Sequence, residues 1–175
     1  MELKTVLIVL HLLGVAIGAG SAYASDFTFI RSIRDGAIDQ KECTRLRRFS
    51  RFVWGGLAVL TISGIGLFLT DPSHYLSSSK FLAKMTIVAV LVANGVIFHQ
   101  FHLPRLIDGT WTRHQRFLIV SGILSFCSWG SAIFLGFLRQ TPLTYVHLLT
   151  LYVGIVAVGI CVGLLVRRIV FPKQI

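Results

Sequence analysis

His11, Lys84 and His147 each lie inside a long apolar run, six residues past Thr5, four past Lys80 and five past Pro142. At ~1.5 Å of rise per residue, helices through these runs would carry all three nitrogen bases roughly 6 to 10 Å below one membrane surface. An ionisable side chain at that depth is costly unless it is paired, ligated or turned to a cavity. A neutral imidazole is a ligand for a metal or a haem iron, and imidazoles on facing helices can hold a porphyrin edge-on between them. His11 is therefore the first candidate for an axial ligand, with His147 or Lys84 as the second. Beside His11 runs a stripe of small residues, Gly14, Gly18, Ser21, Ala22 and Ser25, where a flat ligand or a neighbouring helix could come close to the backbone. The plainer expectation is that His11 and His147 bond to neighbouring hydroxyls or carbonyls, that Lys84 reaches to the headgroups and that the stripe is helix packing. His99, one turn before Pro104, could meet His114 across a short connection and mark where a second haem would sit, whereas His102 and His114 fit a solvated interface. Asn94, in mid-span, suits an interhelical hydrogen bond.

The elements that must position these residues are apolar helices. Of 175 residues, 54% are hydrophobic and 14% charged, far more apolar surface than a soluble domain of this size buries. A spanning helix needs roughly 20 apolar residues. Five stretches qualify: Leu3 to Ala24, Phe52 to Thr70, Phe81 to Leu103, Phe117 to Phe137 and Leu143 to Val166. The expected fold is an all-α polytopic bundle, one domain over 1–175, with five transmembrane helices. Glu42 to Arg51 reads as a basic helical lead-in to the second span. Asp35-Gly36 marks a turn, Asp71-Pro72-Ser73 ends the second span, Pro104 closes the third and Pro142 opens the fifth. None of these five stretches contains Asp or Glu, which argues against a carboxylate proton relay.

Thirteen of the 17 Lys and Arg follow the first, third and fifth spans: Arg31, Arg34, Lys41, Arg45, Arg47, Arg48 and Arg51; Arg105, Arg113 and Arg116; Arg167, Arg168 and Lys173. The positive-inside rule then puts the N-terminus outside and the C-terminus in the cytoplasm, in a bacterial inner membrane. It also accounts for the +10 charge without nucleic acid. Cleavage after Ala22-Tyr23-Ala24, as in a signal peptide, would push the most basic loop outside and break that rule. Cys43, Cys127 and Cys161 are singly placed and suggest neither a disulfide framework nor a zinc site.

His11-Leu12-Leu13-Gly14-Val15, together with Lys80-Phe81-Leu82-Ala83-Lys84-Met85, resembles the HemJ-type membrane protoporphyrinogen oxidases, small haem-associated helical proteins with a His-bearing first span and a Lys-bearing later one. Ser50-Arg51-Phe52-Val53-Trp54 and Leu60-Thr61-Ile62-Ser63-Gly64-Ile65 are also similar to the membrane domain of CopD-type copper resistance proteins. The likeness covers roughly the first hundred residues, and its motifs are short and apolar. It implies His11 as a haem ligand and Lys84 as a functional, catalytic residue. The tryptophan expected after the His11–Val15 run is missing, with Ala16, Ile17, Gly18 and Ala19 in its place. The expected proline and arginine at the end of that helix are also absent, where Ser25-Asp26-Phe27 stand. These departures favour a haem-binding relative over a strict protoporphyrinogen oxidase.

The leading expectation is a haem b-binding membrane protein that moves electrons, with quinone or a porphyrin substrate as partner, membrane lipid around it and a homo-oligomer compatible with it. Copper or small-solute transport is the alternative, although Met1 and Met85 are the only methionines and soft sulfur ligands are scarce. A structural subunit without cofactor is the third.

Overall fold

The computed structural model describes residues 2–34, 39–107, 115–138 and 142–170. These are helical, with no strand among them: α1 (Leu3–Arg34), α2 (Gln40–Thr70), α3 (Pro72–Leu76), α4 (Ser79–Ile97), a π-helical turn (Phe98–His102), α5 (Leu103–Ile107), α6 (Gln115–Phe137) and α7 (Tyr145–Val170). Five stretches are long and apolar enough to cross a membrane: Leu3–Arg31, Gln40–Thr70, Ser79–Arg105, Gln115–Phe137 and Tyr145–Arg168. Hydrocarbon offers backbone N–H and C=O groups no partner, and a helix satisfies them within itself. The protein is an all-helical membrane protein.

Several boundaries differ from those expected. α1 runs on to Arg34 instead of stopping at Ala24, so Asp26 falls within its apolar stretch. The stretch expected to cross the membrane, Leu3 to Ala24, holds no Asp or Glu, and Asp26 follows it in the same continuous helix. Asp26 is half-buried, and one of its carboxylate oxygens is buried with no hydrogen-bond partner among the described residues. The basic lead-in is helical, as expected, and continuous with α2. A reciprocal cap starts it: the Asp39 carboxylate accepts from the Glu42 backbone N–H, and the Asp39 N–H donates to the Glu42 carboxylate at 3.0 Å, while Asp39 also accepts from the Gln40 N–H at 2.6 Å. Pro104 does not end the third span. The π-turn before it resets the hydrogen-bond register, and Pro104 becomes the second residue of α5, where its missing N–H does no harm. The fifth helix begins at Tyr145, not at Pro142 or Leu143. The Asp35-Gly36 turn and His114 lie outside the described residues.

The helices divide into two units, Met1–Phe81 and Leu82–Ile175. In the first, α1 and α2 form an antiparallel pair. A Cβ added at Gly66 would touch Leu7, one at Gly64 would touch His11, one at Gly14 would touch Leu60 and one at Gly56 would touch Gly18. Numbers rising along α1 thus meet numbers falling along α2. Asp71 ends α2 and caps α3, and Phe68, Tyr75 and Phe81 pack their rings 5.2 to 6.3 Å apart around that corner. In the second unit α4, α6 and α7 enclose Ala83, Ile87, Leu135, Leu148 and Tyr152.

Candidate functional site

Leu7, His11, Gly14 and Gly18 recur at steps of four, three and four, which puts them on one face of α1, the face that meets α2. Glycine lets the two backbones touch. A Cβ at Gly56 would lie 2.5 Å from the Gly18 nitrogen and 2.9 Å from the Gly14 carbonyl oxygen, and one at Gly14 would lie 2.9 Å from the Leu60 nitrogen. Gly14 and Gly18 are therefore filled by α2. The room that the stripe offered to a porphyrin goes to a neighbouring helix, and the packing explanation of these two glycines holds.

His11 sits one turn nearer the N-terminus on the same seam and is half-buried. Its Nδ1 is 3.2 Å from Ser63 Oγ on α2. Gly64 lies beside the ring: a Cβ there would stand 3.4 Å from His11 Cε1, an ordinary van der Waals contact. Ser63 is only 1% exposed. Its hydroxyl lies 2.6 Å from the Val59 carbonyl oxygen one turn back and 3.3 Å from that of Leu60. The imidazole is thus held in a fixed attitude by a hydroxyl on the facing helix.

The other expected residues belong to the second unit. Lys84 is half-buried on α4, one residue past the fully buried Ala83. His147 is the third residue of α7, so it lies about 3 Å along the helix axis from the first, shallower than a start at Pro142 implied. It is exposed, and its Nδ1 is 2.7 Å from the Thr144 hydroxyl just before the helix. His99 is exposed and His102 buried, both in the π-turn. Asn94 makes the interhelical bond expected of it: its Nδ2 donates to the Ser121 carbonyl at 3.0 Å, and the Ser121 hydroxyl donates back to Oδ1 at 2.9 Å.

Both singled-out histidines therefore have hydroxyl partners, as a structural role requires. A hydrogen bond from Nδ1–H is also what orients a ligating histidine. Among the described residues no three His, Cys, Asp or Glu side chains come together as a metal cage. Haem b asks less of the protein, because porphyrin supplies four equatorial nitrogens and one or two side chains complete the iron. His11 fits that demand as a donor.

Sequence reasoning passed over Ser63 as a partner of His11. The available signal was the spacing of Gly56, Leu60 and Ser63 on α2, which repeats the seam steps of α1 in reverse order. No protein-family model, no curated protein and no solved structure matches the chain.

Proposed function

We propose that this chain is a haem b-binding membrane protein that carries electrons, with His11 as an axial ligand to the iron. The observation that supports the reading is an imidazole within an apolar span, fixed through Nδ1 by a buried hydroxyl on the facing helix. Nδ1 engaged by a hydrogen bond is the arrangement that directs Nε2 to a metal. The resemblance of His11–Val15 to the HemJ-type proteins points the same way. When bound, haem would supply a one-electron couple, while the protein supplies ligation, burial and access. Quinone or a porphyrinogen is the proposed electron partner class, and Lys84 carries the HemJ-like role only if a porphyrinogen is oxidised.

The distribution of Lys and Arg supports an N-terminus outside and a C-terminus in the cytoplasm of a bacterial inner membrane. Reporter fusions at the two termini test this orientation.

The decisive experiment is a reduced-minus-oxidised visible spectrum of detergent-purified protein made with ample haem, for the natural sequence and His11→Ala, with haem quantified per chain. The expected result is a haem b spectrum that His11→Ala loses or shifts. A colourless natural protein, or a spectrum indifferent to His11, overturns the proposal.

A further inference from the structure

A neutral imidazole carries its proton on one nitrogen and its lone pair on the other, and the partner of one nitrogen selects the arrangement. Ser63 has a single hydroxyl proton and two acceptor lone pairs. Its oxygen has three neighbours: the Val59 carbonyl at 2.6 Å, the Leu60 carbonyl at 3.3 Å and His11 Nδ1 at 3.2 Å. Carbonyl oxygens only accept, so both carbonyl contacts can be satisfied only by the serine proton. The Val59 contact is short enough to hold that proton, in the back-bonding geometry that serine adopts inside helices. Ser63 then has lone pairs alone to offer His11.

We propose that Ser63 is the positioning residue of His11: its hydroxyl donates to the Val59 carbonyl and accepts from His11 Nδ1–H, which fixes the imidazole as the Nδ1–H tautomer with its lone pair on Nε2. Free histidine favours the opposite form, so the facing helix imposes the tautomer. The arrangement deepens the haem reading and rests on it only for its purpose. Nε2 becomes the nitrogen able to ligate iron, and the Nδ1–H bond to Ser63 aims the ring and raises the basicity of Nε2. A hydroxyl acceptor does here what a carboxylate or carbonyl does in other metal sites.

The tautomer can be read without haem. Full-length protein labelled with ¹⁵N-histidine is reconstituted haem-free in lipid at about pH 8, where an unperturbed imidazole is neutral. The His11 resonances are assigned by their loss in His11→Gln. The expected spectrum has a protonated Nδ1 and an unprotonated Nε2, in the natural protein and in Ser63→Thr, which keeps the hydroxyl and its back-bond. Ser63→Ala is expected to bring in the Nε2–H form. A natural protein with Nε2 protonated, or a Ser63→Ala spectrum unchanged from it, overturns the assignment. Haem titration of the same three proteins gives the second reading. Ser63→Ala is expected to weaken binding by about 10- to 100-fold and Ser63→Thr to restore it. If the natural protein shows the Nδ1–H tautomer but takes up no haem, the haem reading fails and the Ser63 assignment stands.

Discussion

Both units are built from apolar helices, and each is held together internally by different means. In the first, α1 and α2 approach until backbone meets backbone, with Gly14 and Gly18 against Gly56 and Leu60. In the second, side chains fill the gaps. Ile123 of α6 presses into the surface left by Gly159 and Gly163 of α7. Hydroxyls and amides bridge the rest: Asn94 with Ser121, Ser128 with Tyr152 at 2.8 Å, Thr86 with Tyr145 at 3.0 Å and Arg167 Nε donating to Gln115 at 3.2 Å. Lipid is as apolar as leucine, so hydrophobicity does not drive helices together in a bilayer; close packing and polar bridges do. The first unit relies mainly on packing, the second on both. A backbone contact cannot yield, whereas a side chain can turn to another rotamer, and the two units should therefore answer substitution differently.

The largest effect is expected at the rigid contact. Gly56→Ala puts a methyl group into the Gly18 backbone and should cost about 1–3 kcal/mol, the usual range for overpacking. Unfolding in detergent by a chemical denaturant measures it, with Gly55→Ala as the matched control. A Cβ at Gly55 meets nothing within 4 Å, so that change should be neutral or stabilise by up to about 1 kcal/mol through helix propensity. Equal costs at Gly55 and Gly56 would remove the backbone seam from the account of the first unit.

Next comes the polar bridge of the second unit. Asn94→Ala and Ser121→Ala, with the double variant, should give a coupling energy of about 0.6 kcal/mol and no more than about 1.7, the span measured for hydrogen bonds between membrane helices. Zero coupling would mean that the Ser121 hydroxyl adds nothing to the α4–α6 contact beyond packing and the Asn94 bond to the Ser121 carbonyl. A smaller cost is expected for Gly163→Ala, where the obstacle is the Ile123 side chain. Ile123→Val should relieve part of it, because shortening the intruding chain opens the space that the new methyl needs. No such relief is available to Gly56→Ala.

The smallest effect lies at the water-exposed corner after α2. Asp71 caps α3 by accepting from the His74 N–H at 3.1 Å and the Ser73 hydroxyl at 3.0 Å, which hold its carboxyl below the usual carboxylate range. A depressed pKa contributes stability above the unfolded value and loses it as pH falls through the folded one. Amide exchange at His74 should therefore stay slow through the ordinary acid range of a carboxylate and lose its protection only below it, while Asp71→Asn should lose much of the pH dependence. Protection lost already at the ordinary carboxylate pKa would show that the cap does not hold the charge.

The two histidines sharpen the comparison in a different way. At His11 the serine proton is committed to Val59, so the direction of the bond is set. At His147 the Thr144 oxygen also faces the His147 backbone N–H at 3.5 Å, and its proton is left for either role. One imidazole is held by a neighbouring helix, the other meets the residue just before its own helix. Only the first attitude depends on tertiary structure.

Composition and hydropathy alone determined that this is a membrane protein with five spanning helices, because in hydrocarbon the helix is the one way for an open chain to satisfy its backbone. The helical lead-in to α2 and the interhelical role of Asn94 were legible for similar local reasons. The ends of α1 and the passage through Pro104 were not. Hydropathy marks where a helix leaves the bilayer, not where its hydrogen bonds stop, and a π-turn can bring a proline back into register. His11 stood out because an imidazole in an apolar run is conspicuous, yet its partner lies 52 residues away. The same periodicity that made Gly14 and Gly18 look like room for a ligand also fits a helix seam, and sequence spacing cannot tell one occupant from the other. The antiparallel register of α1 on α2 decided both questions: it filled the glycines with backbone and set a buried serine, its proton already bound, against the one histidine that faces it.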